Sequence, residues 1–173
     1  MSEAVWEFAH SVECAVPREV AWAYWTNAEN WDDPPARFEF DGPFAVGTRL
    51  KTILPGQELE SVIRQVVEGR SARIEMDLMP AVVAFDWGFE ELDGRRTKIT
   101  QRIRLSGGGA EAMVEQAKML EQSVPQGMQK LAGNIERNWA GHGSEEKPKR
   151  EPKTRPRKTE DGAPEGPKRG ASI

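Results

Sequence analysis

The sequence predicts an α+β domain in which a seven-stranded antiparallel sheet wraps around one long C-terminal helix. Three observations point there. The first segment alternates, with Trp6, Phe8, His10, Val12 and Cys14 on one face and Glu7, Ala9, Ser11 and Glu13 on the other. Between residues 37 and 105, six more segments of strand character are separated by short turn signals. After Leu105 the apolar period changes from two residues to three and four.

The elements follow in chain order. The opening alternation makes residues 6–14 a half-buried strand. Pro17 suits a first helical position, and Val20, Ala21, Tyr24 and Trp25 give a short helix its apolar side. Residues 27–31 fit one further helical turn, ended where Asp32-Asp33 run into Pro34-Pro35, because the residue before a proline is driven out of the helical region. Strands are expected over 37–41, 49–54, 59–68, 71–78, 82–91 and 96–105. Asp41-Gly42-Pro43, Pro55-Gly56, Glu68-Gly69, Met79-Pro80 and Asp93-Gly94 punctuate them, the last being the strongest hairpin signal. Connections this short make neighbouring strands antiparallel.

Met113, Ala117, Leu120, Val124, Met128, Leu131 and Ile135 then mark one face of a long helix. Pro125 is expected to break it into two pieces, near 110–122 and 124–139. Ser123 and Gln126 would form a capping box for the second piece, with Gly141 and Gly143 ending it. One helix is too narrow to cover seven strands. The sheet must therefore curl around it, the short helices closing one end and a cavity remaining between.

Composition divides the chain near residue 143. From Ser144 to Ile173 the only apolar residues are Ala163, Ala171 and Ile173, with five prolines among them. Residues 1–143 are therefore expected to fold as one domain and 144–173 to be a disordered, charged, Pro-rich tail. The tail holds nine Lys and Arg against six Asp and Glu, leaving the body 15 basic and 22 acidic residues. An acidic body argues against a nucleic-acid partner, since phosphate contacts need clustered positive charge. Cys14 is the only cysteine, so no internal disulfide can form, which suits a reducing compartment. The start lacks the basic and apolar regions of a secretory signal. The longest run without polar side chains, residues 78–85, is too short to span a bilayer. A cytoplasmic protein without membrane insertion is expected, and nothing in the sequence assigns its oligomeric state.

Particular residues resemble a known group. His10-Ser11-Val12-Glu13, Pro17-Arg18-Glu19-Val20-Ala21-Trp22, Trp25-Thr26-Asn27-Ala28-Glu29-Asn30-Trp31 and Asp41-Gly42-Pro43-Phe44-Ala45-Val46-Gly47-Thr48 together resemble the START-like (SRPBCC) superfamily, in particular its bacterial polyketide cyclase/dehydrase type. The resemblance covers about residues 4–139. It implies a helix-grip fold with a deep apolar cavity, and it carries no shared catalytic motif.

Strand parity then nominates the site. His10 shares the face of Trp6 and Phe8, where an imidazole could pass a proton at working pH or serve as a hydrogen-bonded structural residue. Gln101 is the polar member of the inward set Ile99, Gln101, Ile103 and Leu105, suited to orienting a ligand carbonyl or hydroxyl. These two are the candidate catalytic residues. Ligand contacts are expected from Trp6, Phe8, Ile63, Gln65, Phe85, Trp87, Phe89 and Ile103 on the sheet and from Leu120, Val124 and Met128 on the helix.

Other signals fail. Two histidines and one cysteine make no convincing zinc site. Gly107-Gly108-Gly109 imitates a dinucleotide loop, but no parallel strand follows, so flexible linker is the better reading and no cofactor is expected. Asp32 and Asp33 read as a solvated turn. Three functions remain open: a binding module for a small apolar or aromatic molecule, a cyclase or dehydratase using His10 as proton carrier, and an interaction protein acting through its tail.

Overall fold

The computed structural model describes residues 3–143, and the expected tail lies outside the described residues. The sheet, α1, α2 and α3 as far as Glu136 belong to one compact unit, Met1–Glu136. The last turns of α3 fall to a second unit, Arg137–Ile173. Strand β1 (Trp6–Cys14) is followed by α1 (Arg18–Trp25), a 3-10 turn (Ala28–Asn30), β2 (Arg37–Phe40) and β3 (Arg49–Leu54). Then come β4 (Gln57–Val67), β5 (Ser71–Asp77), β6 (Ala81–Glu91) and β7 (Thr97–Gly107). All seven form one antiparallel sheet in the order β1-β7-β6-β5-β4-β3-β2. A second 3-10 turn (Ala110–Met113), α2 (Val114–Ala117) and α3 (Leu120–Gly143) complete the described chain. No helix among the described residues is long and apolar enough to cross a membrane.

The hairpin signals hold. At Asp93-Gly94, Gly94 takes φ +82° and the Leu92 N–H donates to the Arg96 carbonyl at 2.9 Å. The Arg95 backbone N–H and then the Arg96 guanidinium bind the Asp93 carboxylate and hold it below the ordinary carboxylate range. The glycine run after β7 is tighter than a flexible linker. Gly107 sits at φ +93°, and a Cβ there would lie 2.8 Å from the Pro80 carbonyl oxygen. Only glycine lets the β5–β6 turn and the end of β7 approach so closely.

Parity holds on β1, β6 and β7 but changes within β4. A bulge between Ile63 and Gln65 leaves Arg64 without a partner opposite Ile74 and Arg73. Ser61 and Ile63 face the core, Gln65 turns out to solvent, and Val66 takes the inward place. The expectation that Gln65 lines the cavity is therefore corrected, because one inserted residue reverses the two-residue period beyond it.

The helical segment also breaks elsewhere than expected. Its interruption falls at residues 118–119, ahead of Pro125, and α3 carries the proline inside it from Leu120 onward. So near a helix start the missing N–H removes a single ladder bond, and Ser123 lies within the helix instead of capping it. The helix also passes through Gly141 to Gly143.

Two apolar clusters fill the space between the sheet and the helices. One gathers Trp22, Trp25, Ile63, Phe89, Ile99, Met128 and Ile135 near α1. The other gathers Trp6, Ala81, Val83, Ile103, Leu105 and Ala110, covered by Met113, Val114, Ala117 and Leu120. Helix α3 is tied to the end of β1. The Ala15 N–H donates to Glu136 Oε2 at 2.7 Å, and the Cys14 thiol lies 3.5 Å from the Ala132 carbonyl. Burial, reinforced by the nearby Glu136 carboxylate, pushes the Cys14 thiol up to about 12, so it stays protonated.

Candidate functional site

A pocket of about 470 Å³ opens between α3, the end of α1 and the sheet. Its walls are built by local hydrogen bonds. The Thr26 hydroxyl donates to the Trp22 carbonyl at 2.8 Å, ending α1, and Asn27 caps the next turn by accepting from the Glu29 N–H at 3.0 Å. Asn30 Nδ2 donates to the Tyr24 carbonyl at 3.0 Å and the Trp31 indole N–H to the Trp25 carbonyl. This folds Tyr24, Trp25, Asn30 and Trp31 into one wall. Trp25 stacks among Trp31, Trp87 and Phe89 with ring centroids 5.0–5.5 Å apart, spacings typical of favourable aromatic pairs.

The floor comes from the sheet. Trp87 and Gln101 are cross-strand partners on β6 and β7, and both line the pocket. Gln101 is only 8% exposed, and its amide makes no hydrogen bond to any described residue. On the helix, Val124, Met128 and Leu131 supply the apolar side of the pocket, and Ser123, Gly127, Lys130 and Asn134 a more polar one. Asp32, Asp33, Pro34 and Phe38 form the rim. Asp32 Oδ1 accepts from the Phe38 N–H at 2.9 Å, and Lys130 Nζ reaches Asp33 Oδ1 at 2.6 Å. Among the described residues, no group of three or more His, Cys, Asp or Glu is placed to hold a metal ion.

Of the residues nominated from sequence, the pocket gathers Gln101, Trp87, Val124 and Met128. Ile63 and Phe89 pack in the cluster near α1. Trp6, Phe8, Ile103 and Leu120 pack in the other, and Phe85 touches both. The reason is that α2 and the 3-10 turn before it plug the sheet at that end, where the Trp6 indole N–H donates to Glu121 at 2.9 Å. His10 keeps the inward face and pairs in register with Gln101, but on the edge strand and outside the pocket lining. Sequence reading missed Tyr24, Trp25, Trp31, Phe38 and the rim carboxylates. It also missed Ser123, Gly127, Lys130 and Asn134, whose four-, three- and four-residue spacing marks a second stripe beside the apolar one on α3.

No protein-family model and no curated protein sequence matches the chain. Solved structures do match. Norcoclaurine synthase from Thalictrum flavum, in complex with dopamine and hydroxybenzaldehyde, superposes with a TM-score of 0.61 at 17% identity, over 79% of this chain and 87% of that one. The ZhuI aromatase/cyclase from Streptomyces sp. R1128 gives 0.61 at 18%, over 80% and 98%. Ara h 8.0201 gives 0.58 at 19%, over 79% and 98%. At such identities the likeness is one of fold. The architecture is the helix-grip fold of START-like proteins, as the sequence resemblance implied.

Proposed function

We propose that the protein binds a small aromatic or apolar molecule in the pocket beneath α3, with a carbonyl or hydroxyl of that molecule held by Gln101. The observation that carries this reading is the Gln101 amide, buried in an aromatic-walled pocket without a hydrogen-bond partner. Among the described residues Arg104 Nε is the one buried side-chain N or O atom without a partner, so the Gln101 amide opens into the pocket, where it can hydrogen-bond a ligand oxygen or N–H. The pocket volume falls within the range of small-molecule sites. The complex of norcoclaurine synthase with dopamine and hydroxybenzaldehyde supports the same ligand size and aromatic character on this fold. Carriage or sequestration is favoured over cyclase or dehydratase chemistry because His10, the expected proton carrier, is not among the lining residues.

Native mass spectrometry of the purified protein, followed by tryptophan fluorescence titration with aromatic aldehydes, ketones and phenols, tests the proposal. Gly127 lines the pocket, and a Cβ there meets nothing within 4 Å, so Gly127→Phe starts a bulky side chain from open space on the pocket side of α3. Binding should disappear in Gly127→Phe and persist in His10→Ala. Equal responses from the wild type and Gly127→Phe would place any binding elsewhere.

A further inference from the structure

We infer that the occupant carries a positive charge: an aromatic or apolar amine whose ammonium sits at the rim against Asp32. The inference rests on the pocket reading above and adds the ligand's charge. The charged side chains lining the pocket are Asp32, Asp33 and Lys130. Lys130 lies 2.6 Å from Asp33, so those two charges answer each other. Asp32, exposed at the rim, makes no ion pair with any described residue. One of its oxygens accepts from the Phe38 N–H, and the other has no partner among the described residues.

The rings beside it favour the same sign. Trp31 precedes Asp32 in the chain and Phe38 is fixed to it by that backbone bond, and both rings line the pocket. Aromatic faces attract an ammonium and repel a carboxylate. The independent sign that something is bound is Gln101, more than nine-tenths buried, unpartnered and part of the lining. A ligand spanning the site therefore meets a neutral hydrogen-bonding amide on the floor and a negative, aromatic rim.

Three probes of one shape separate charge from fit: 2-(1-naphthyl)ethylamine, 2-(1-naphthyl)ethanol and 1-naphthaleneacetate, titrated calorimetrically at low and high salt. The amine should bind about three- to fivefold tighter than the alcohol, as expected for an exposed charge pair, and the acetate weakest. Asp32→Asn keeps the acceptor for Phe38 and should bring the amine's affinity down to that of the alcohol measured on the same variant. The double variant Asp32→Asn with Asp33→Asn leaves Lys130 unanswered and should reverse the order of amine and acetate. Thermal midpoints close to wild type establish that each variant is folded. Alcohol binding without an amine preference, or a preference that survives Asp32→Asn, overturns this inference alone. Failure of all three probes to bind the wild type overturns the pocket reading and this inference together.

Discussion

Gln101 lies where the packed face of β7 meets the pocket. Its neighbours along β7, Ile99 and Ile103, are fully buried, and an apolar residue in its place would complete the same face. Gln101→Leu should therefore leave the stability of the unliganded protein within about 1 kcal/mol of wild type, because the amide it removes opens into the pocket. The same change should weaken binding of carbonyl- or hydroxyl-bearing aromatics by about three- to tenfold and leave matched hydrocarbons unaffected. Urea unfolding and ligand titration of the two proteins check both parts, and undiminished binding by Gln101→Leu would take the amide out of the site. The residue was legible in the sequence as the polar member of the inward set Ile99, Gln101, Ile103 and Leu105. What surrounds it was not, since Trp25, Trp31 and Asp32 reach the site through hydrogen bonds between neighbouring turns. No periodicity records such bonds.

At the scale of elements, β4 and α3 show how sequence patterns succeed and fail. Strands with uninterrupted alternation, β1, β6 and β7, kept their inward faces as read. β4 did not, because the bulge between Ile63 and Gln65 inserts a residue without any glycine or proline to announce it. The consequence is measurable. Val66→Ala should cost about 1 kcal/mol through lost packing on the core, while Gln65→Ala should fall within about 0.5 kcal/mol of wild type. Chemical unfolding of both variants decides it, and the opposite ranking would restore the unbroken register. On α3 the apolar stripe was read correctly, and the stripe one step around the helix, Ser123, Gly127, Lys130 and Asn134, turned out to face the pocket.

For the whole molecule, the arrangement of its two apolar clusters decides where a ligand can go. One end of the sheet is filled by Trp6 and the helical residues that cover it. Near α1 the sheet and α3 leave the aromatic pocket open. A ligand that binds only the folded state at a hundredfold its dissociation constant stabilises it by about 2.7 kcal/mol. The thermal midpoint should accordingly rise by several degrees with the wild type and stay flat with Gly127→Phe. A rise of equal size in both would argue for binding outside the pocket.

Element order, strand parity and the resemblance of the opening motifs to START-like proteins sufficed for the helix-grip architecture, because short turns and apolar periods are local properties of the chain. The same local signals identified Gln101, Trp87, Val124 and Met128 as inward residues. Only the tertiary structure chose which inward residues line a cavity and which are packed shut. That choice depends on the seating of α2 against Trp6 and Val83, a contact between segments distant in sequence, and on the hydrogen-bonded turns that fold the rim onto β2, which no apolar period records.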